Sequence, residues 1–308
     1  MKYVNHEQLA AHVREKGQGG LTAGIIAADN EHTLEAVLDA VGKGYIQAVL
    51  FGNSRRIKEM LSDLDASAGD FEIVDADTPE EAARQAGTAA RDGRVQFLMK
   101  GGIPTPQMFR ALFDAEIQFR IGRLITHVAF VQAPFYHKLL VVTDVAITVY
   151  PTLEQKASIL NNAVSTMLAM GFDKPKVAAL AASEEVSPKI IESVEARELQ
   201  KMSRDGRIGN CIVEGPLSLD IALDPDSAGL KNVESQVAGD ADLLLVPNIA
   251  AGNILIKSLR VCAKGRIAGL VVGGSVPIAL SSRAAASSDK FLPLVLAAAA
   301  VPDSGGTS

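Results

Sequence analysis

Short apolar runs alternate with amphipathic segments through the first third of the chain. The strand-like runs are LTAGIIAA, IQAVLFG, FEIVDA and VQFLMK, and the helix-like segments between them are EHTLEAVLDAVGK, SRRIKEMLSDL and PEEAARQAGTAARD. This alternation is typical of right-handed β–α–β units, in which helices cover a parallel sheet. The pattern therefore predicts an α/β fold with mostly parallel strands.

The pattern changes after Phe113. The runs HVAFVQA and KLLVVTDVAI have only PFYH between them, so we expect a hairpin there instead of a crossover helix. A second series follows, and its first helix is predicted to start at Thr152, because Thr152 and Gln155 have the spacing of a capping box. The rest of the series reads KVAALAAS, SPKIIESVEARELQKM, CIVEGPLS, DLLLVPNI, AGNILIKSLRVCA and IAGLVVGG. We place a domain boundary near Tyr150–Pro151, which gives a first α/β domain over 1–150 and a second that starts at residue 151.

Composition and charge narrow the classes of function. The chain has 308 residues, 48% of them hydrophobic, and a formal net charge of −6. That length suits two domains or one large α/β unit. The negative charge makes nucleic acid a poor partner, because phosphate backbones bind basic surfaces. The C-terminal apolar run FLPLVLAAAAV is shorter than the roughly twenty residues that span a bilayer, so we expect no membrane partner either.

Cysteine use indicates a reducing compartment. Cys211 and Cys262 are the only two cysteines, lie in apolar surroundings and form no CxxC motif. The first segment, MKYVNHEQLAAHVREKG, carries charges throughout, unlike the apolar centre of a signal peptide. We therefore expect two reduced core cysteines in a cytoplasmic protein.

The usual nucleotide and metal motifs are absent from the sequence. GQGG precedes the first strand, whereas a dinucleotide fingerprint follows one, and AKGRIAG lacks the spacing of a phosphate-binding loop. The five histidines show no metal-ligand spacing, and His127, which begins an apolar strand, is expected to be structural. The sequence predicts no metal site.

The loop MKGGIPTPQMFRALF is the first candidate for ligand binding. Lys100-Gly101-Gly102 ends a strand, and Thr105 is expected to cap the next helix, with Pro106 in its first turn. The glycines would let the backbone approach a ligand, and the free N–H groups of the helix would favour an anion, which Arg110 could also reach. A generic turn is the alternative. Arg120 and Arg123 add positive charge nearby, or belong to the solvated surface.

The second candidate is IALSSRAAASSDK, Ile278 to Lys290. Ser282 and Arg283 follow a strand-like run, at the place where open α/β sheets bind ligands. Arg283 could bind phosphate bidentately and Ser282 could donate to a carbonyl oxygen. Asp289 comes seven residues after Ser282, which is roughly 10 Å along a helix. The alternative is that Ser282 and Asp289 only cap helices.

These segments and others resemble the phosphate acetyl/butyryltransferase family, most closely its phosphate butyryltransferase branch. The likeness extends over nearly the whole chain and includes FRIGRLITHVAF, LLVVTDVAITVYPTLEQK and KMSRDGRIGNCIVEGPLSLDIAL. Its most specific parts are VAGDADLLLVPNIAAGNILIKSL and GLVVGGSVPIALSSRAAASSDK. The spacing of Ser282, Arg283 and Asp289 is similar to that of the family's catalytic serine, arginine and aspartate.

The resemblance implies a reaction and a fold. The reaction converts acyl-CoA and phosphate into acyl phosphate and CoA without a cofactor. The fold has two α/β domains like those of isocitrate and isopropylmalate dehydrogenases, assembled as a homodimer or a larger homo-oligomer. It implies that residues 283–308 return to the first domain, so that the second domain covers 151–282, and that the active site lies in the interdomain cleft.

The resemblance also implies roles for residues. Arg283, assisted by Arg110, would hold phosphate, Ser282 would stabilise charge on the acyl oxygen, and Asp289 would exchange the thiol proton of CoA. Lys100, Lys257 and Lys290 are candidates for the phosphates of CoA. The full set of expected substrate-binding residues is Arg110, Arg120, Lys100, Gly101, Gly102, Thr105, Asn253 and Lys257.

Other functions stay open on the sequence alone. The loop GGIPTPQMF departs from the loops of butyryl enzymes, so phosphate acetyltransferase is an alternative. A metal-dependent 2-hydroxyacid dehydrogenase on the related fold would need clustered aspartates, and no DxxxD spacing occurs near the expected cleft. A CoA-binding regulator without catalysis is disfavoured by the intact Ser282, Arg283 and Asp289.

Overall fold

The computed structural model describes residues 3–15, 20–231, 233–281 and 287–302; for residues 287–289 it describes the backbone only. Its helices and strands in chain order are α1 (His6–Glu15), β1 (Thr22–Ile26), α2 (Glu31–Gly42), β2 (Gln47–Gly52), α3 (Ser54–Asp63), β3 (Glu72–Asp75), α4 (Pro79–Arg91), β4 (Phe97–Lys100), α5 (Thr105–Leu112), β5 (Thr126–Gln132), β6 (Leu140–Thr143), α6 (Leu153–Ala169), β7 (Lys176–Leu180), α7 (Ile191–Arg204), β8 (Ile212–Leu217), α8 (Leu219–Leu223), α9 (Pro225–Leu230), β9 (Leu243–Leu245), α10 (Ile249–Val261), β10 (Arg266–Val272), β11 (Ile278–Leu280) and α11 (Ser287–Ala299). A short 3-10 turn, Ala68–Asp70, precedes β3.

The chain packs into two compact units. The terminal unit consists of Glu7–Arg123 and Ala268–Ser308, and the central unit of Met1–His6 and Leu124–Ile267. The packing thus changes at Arg123–Leu124 and Ile267–Ala268. The sequence pattern placed the first boundary after residue 150, and the family resemblance placed the second after residue 282. The shift arises because the β5–β6 hairpin belongs to the sheet of the central unit, and β11 to that of the terminal unit.

The terminal unit contains a sheet of six strands in the order β3-β2-β1-β4-β11-β10. All neighbouring strands are parallel except β10 and β11. Side-chain caps start its helices where the sequence changes from strand to helix: Asn30 caps α2, Asn53 caps α3 and Thr78 caps α4. The α/β pattern predicted for this part of the chain is confirmed.

The central unit contains a sheet of five strands in the order β5-β6-β9-β7-β8. The predicted hairpin is present, with β5 antiparallel to β6, and the other neighbours are parallel. The capping box of Thr152 and Gln155 is formed at the start of α6. The strands are buried, as helix-covered parallel strands should be.

Two local expectations are wrong. Strand β11 was not predicted as a separate strand, because its three residues are too short for a recognisable apolar run. Cys211 is buried, as expected for a core cysteine, but Cys262 is exposed, because it follows the last residue of the surface helix α10. Within the described residues, no helix is both long and apolar enough to cross a membrane.

Candidate active site

Three adjacent strands of the terminal unit end at the same edge of the sheet. Strand β4 lies between β1 and β11 and is parallel to both. The carboxyl ends of these strands are followed by Ala27–Asn30, by Gly101–Pro104 and by Ser281. Ligands of parallel α/β sheets bind at such an edge. We call it the carboxyl edge of the terminal unit.

Gly101 and Gly102 pack their backbone on the end of β1. The N–H of Gly101 donates to the carbonyl of Ile26 at 2.8 Å, and the N–H of Gly102 donates to the carbonyl of Ala27 at 2.8 Å. A Cβ atom on Gly101 would lie 2.4 Å from the Ala27 oxygen, which is far inside van der Waals contact. Glycine at this position therefore allows the loop backbone to approach the end of the neighbouring strand β1 closely.

Lys100 is buried at the same edge. Its ammonium donates to the carbonyl oxygens of Gly101 at 3.3 Å and Ile103 at 3.2 Å. These bonds fold the side chain onto its own loop. Lys100 therefore fixes the shape of the loop between β4 and α5.

Helix α5 begins differently from the prediction. Pro104 occupies the N-cap position and no side chain caps the first turn, so Thr105 is the first helical residue and does not cap it. A proline at N-cap and another in the first turn favour the start of the helix at this point, because each proline fixes its own φ angle. Arg110 lies five residues after Thr105, about 7.5 Å along the axis, and its side chain is exposed.

Arg120 lies at the other edge of the sheet. Its backbone forms an antiparallel bridge with Gly274, in the loop between β10 and the amino end of β11. Its guanidinium lies over the ring of Phe113, 4.7 Å from the centroid. The structure thus does not bring Arg120 together with Lys100, Gly101 and Gly102.

The expected catalytic residues fall largely outside the described part of the chain. Ser282 and Arg283 lie outside the described residues, as does the side chain of Asp289. The described chain leaves β11 at Ser281, on the carboxyl edge, and resumes with α11 at Ser287. Asp289 is the third residue of α11.

Lys290, next to Asp289, is fully buried. Its ammonium donates to Asn30 Oδ1 at 2.9 Å and to Thr33 Oγ1 at 3.0 Å. The same Asn30 oxygen accepts bonds from the N–H of Thr33 at 3.1 Å and from its hydroxyl at 2.7 Å. Burial lowers the pKa of the Lys290 ammonium. The sequence suggested a surface lysine for the phosphates of CoA, and the structure shows an internal one.

Asn253 and Lys257 lie in the central unit. They are one turn apart on α10, which follows β9 and is capped by Asn248 through the N–H of Ala251 at 3.0 Å. Residues four apart share a helix face. Asn253 is partly buried and Lys257 is exposed.

Sequence reasoning missed Asp144, which follows β6 in the central unit. Its buried carboxylate accepts from the backbone N–H groups of Ala146 at 3.0 Å, Ile147 at 3.1 Å and Thr148 at 3.1 Å. Burial lowers the pKa of the neighbouring His127, and the Asp144 charge opposes that shift. A polar residue directly after the buried run KLLVVT was the available signal.

No group of three metal-ligating side chains occurs in the part of the chain that the structure describes.

Comparison with known proteins decides the family. The model of the family described as "Phosphate acetyl/butaryl transferase" matches residues 80–298. The chain belongs to this phosphate acetyl/butyryltransferase family. Among its relatives, the phosphate butyryltransferase of Clostridium acetobutylicum is 38% identical over 274 residues, which are 89% of this chain and 91% of that protein. The phosphate acetyltransferase of Thermotoga maritima is 36% identical over 292 residues, 95% of this chain and 98% of that protein.

Solved structures agree with this family assignment. A branched-chain phosphotransacylase from Enterococcus faecalis V583 has a TM-score of 0.82 at 29% identity and covers 91% of this chain and 99% of its own. The 4-hydroxythreonine-4-phosphate dehydrogenase of Klebsiella pneumoniae shares the fold alone, with a TM-score of 0.57 at 11% identity over 90% of this chain and 98% of its own. The predicted dehydrogenase-like α/β fold of this acyltransferase is confirmed.

Proposed function

We propose that this family member is a phosphate acyltransferase that transfers a short acyl group, butyryl in preference to acetyl, between CoA and inorganic phosphate. The observation that carries the proposal is the family match over residues 80–298, which includes Ser282, Arg283 and Asp289. The place of Ser281 supports it, because the carboxyl edge is where a parallel sheet binds its ligand.

The proposed reaction needs four side chains. Arg283 and Arg110 hold phosphate beside the thioester, since the planar guanidinium matches two phosphate oxygens. A phosphate oxygen attacks the acyl carbon, and Ser282 donates to the carbonyl oxygen as it becomes negative. The C–S bond then breaks and CoA leaves as its thiol, with the proton supplied by Asp289; in the reverse direction Asp289 accepts that proton.

The remaining site residues have supporting roles in this proposal. Lys100, Gly101 and Gly102 set the loop between β4 and α5, whose uncapped first turn begins at Thr105 and presents backbone N–H groups suited to an anion. Asn253 and Lys257 bind the CoA part, and Arg120 contributes positive charge at a distance. No cofactor is part of the proposal, because CoA and phosphate are both substrates.

Location and assembly complete the proposal. A cytoplasmic location is supported by two unpaired thiols, those of Cys211 and Cys262. A homodimer or larger homo-oligomer is supported by exposed apolar side chains such as Tyr150, Ile254 and Val261 in the central unit. Light scattering on the purified chain measures the assembly directly.

The test is thiol release from a panel of acyl-CoAs. Acetyl-, propionyl-, butyryl- and isobutyryl-CoA are supplied with and without phosphate, and arsenate serves as a phosphate mimic. We expect phosphate-dependent release with the highest kcat/KM for butyryl-CoA, undiminished by EDTA. Higher kcat/KM for acetyl-CoA would contradict the acyl preference. Absence of release from the whole panel would contradict the activity and favour a CoA-binding regulator.

A further inference from the structure

Lys290 is a buried cation without an acidic partner in the described structure. Among the described side chains, its ammonium is bound by the neutral oxygens of Asn30 and Thr33. Two other buried lysines are paired with carboxylates: Lys138 with Asp242 at 2.5 Å, and Lys156 with Glu195 at 2.5 Å. Burying a charge without a counter-charge costs free energy.

The position of Lys290 increases this cost. Asn30 is the N-cap of α2 and Thr33 lies in its first turn, so the ammonium sits at the positive end of the helix dipole. A methionine of similar length would avoid both penalties. Residues that are unfavourable for the stability of the folded chain are often found at functional sites. The burial of Lys290 therefore calls for a role other than stabilising the fold.

Helix α11 shows what the lysine could hold in place. Pro293 lies within α11 and has no N–H, so the carbonyl of Asp289, four residues earlier, receives no bond from it. After the proline, Leu294, Val295 and Leu296 are fully buried and fix the helix by packing. The first turn, which contains Asp289, lacks that backbone bond, and the side chain of Lys290 supplies a tether in its place.

The tether ends on the carboxyl edge. Asn30 belongs to the loop after β1, and the neighbouring Ala27 carbonyl accepts the N–H of Gly102 from the loop after β4. The Cβ atom of Asn30 lies 3.8 Å from where a Cβ on Gly102 would be. Lys290 thus connects the start of α11 with the loops that follow β1 and β4.

We propose that Lys290 is a positioning residue, whose buried ammonium fixes the rotation and place of the first turn of α11 and thereby the backbone position of Asp289. Residues 289 and 290 are adjacent on a helix and do not face each other, so the lysine acts on the aspartate through the backbone. This inference rests on the proposed function for its consequence in catalysis.

The principal test compares Lys290→Met with Lys43→Met. Lys43 is a matched control, because its ammonium also contacts α11, at 4.9 Å from the centroid of the Phe291 ring. Unlike Lys290, Lys43 is exposed, and it pairs with Asp39 at the other end of α2. In Lys290→Met we expect kcat for phosphate-dependent thiol release to fall about 10- to 100-fold, as for a catalytic group misplaced by about 1 Å. The KM values for phosphate and acyl-CoA should stay within about threefold of native, since binding groups are untouched. The melting temperature should be unchanged or higher, because a buried charge without an acidic partner among the described side chains is removed.

Two further measurements keep the inference testable if Lys290→Met folds poorly. Thr33→Val removes one acceptor of the ammonium while keeping the shape, and should lower kcat in the same direction. The amides of residues 291 and 292 are the first whose i→i−4 acceptors, residues 287 and 288, lie within α11. Their hydrogen exchange should be about tenfold faster in both variants than in the native chain, and native-like in Lys43→Met. This measurement is independent of the proposed function.

The outcomes separate the two proposals. Native kcat in Lys290→Met, or a fall matched by Lys43→Met, would overturn the positioning role, as would a loss of kcat that merely accompanies a large drop in melting temperature. If the native chain releases no thiol with phosphate, the proposed function fails, and the exchange rates alone decide whether Lys290 holds the first turn of α11.

Discussion

His127 shows how burial sets the charge of a single residue. Its side chain lies at the start of β5, one residue before the pair Val128–Thr143, and its Nδ1 has no hydrogen-bond partner in the described structure. Burial lowers the pKa of His127, and the nearby Asp144 charge raises it only in part. The folded chain therefore favours the neutral imidazole.

This preference predicts a dependence of stability on pH. Above the ordinary histidine pKa of about 6.5, the ring is neutral in both the folded and the unfolded chain, so folding does not have to remove a proton from it. As the pH falls below that value, the unfolded chain binds a proton that the folded chain resists, so stability is lost until the pH reaches the lower folded pKa. His127→Gln should reduce the slope of unfolding free energy against pH between 7 and 5, by at most about 1.4 kcal/mol per pH unit.

Urea unfolding at several pH values measures this slope. His32→Gln is the control, because the His32 ring is exposed and bonded to Glu35 at 3.1 Å. That variant should keep a slope close to native. A native slope in His127→Gln would show that this histidine does not contribute to the acid sensitivity.

Residue roles were only partly predictable from the sequence. The need for glycine at position 101 was recognised from the residue type, but its cause is the Ala27 carbonyl on a neighbouring strand. Strand β1 lies far from β4 in the sequence, and no local pattern encodes their pairing. The buried state of Lys290 has the same origin, because its partners Asn30 and Thr33 lie at the other end of the chain.

At the scale of elements, an ionic network joins the amino ends of three strands in the central unit. Lys138, two residues before β6, bonds Asp242 at 2.5 Å and Asp240 at 2.7 Å. Lys176, the first residue of β7, bonds Asp240 at 2.8 Å through its side chain, and its N–H donates to Asp242 at 2.8 Å. Asp242 directly precedes β9. The network therefore fixes β6, β9 and β7 relative to one another.

Removing the central cation should destabilise this unit. Lys138 is 2% exposed and Asp242 5% exposed, so Lys138→Met leaves the buried Asp242 carboxylate without its lysine ammonium partner. Breaking a buried pair in this way costs about 3–5 kcal/mol. Lys201→Met, which removes an exposed pair with Glu198, should change stability by no more than about 1 kcal/mol. Equal unfolding free energies for the two variants in urea would contradict the role of the network.

Elements whose signals are local were predicted, and those that depend on distant partners were not. The capping box of Thr152 and Gln155 and the β5–β6 hairpin depend on neighbouring residues, and both are present. Strand β11 has three residues, and its existence depends on pairing with β4 and β10. The predicted start of α5 was one residue too late, because the helix begins after Pro104 and has no side-chain cap.

At the scale of the whole molecule, the two ends of the chain build one unit. The sheet of the terminal unit places β11 beside β4, and α11 packs there with fully buried Leu294, Val295 and Leu296. Each buried side chain of this kind contributes about 1.5–3 kcal/mol. Their sum is comparable to the total stability of a domain, about 5–15 kcal/mol. The first segment of this unit therefore depends on the last.

The two units should consequently differ when they are expressed as fragments. The fragment 124–267 carries all five strands of the central sheet in one segment and should unfold cooperatively. It should be less stable than in the full chain, because it lacks Tyr3, whose hydroxyl donates to the Met170 carbonyl at 2.7 Å. The fragment 7–123 should stay unfolded alone, since β4 lacks its neighbour β11, and should fold when 268–302 is co-expressed with it. Thermal melts by circular dichroism and amide dispersion in NMR spectra distinguish these states. A cooperative melt of 7–123 alone would show that β11 and α11 are dispensable for the terminal unit, and an unfolded 124–267 would show that the central unit is not autonomous.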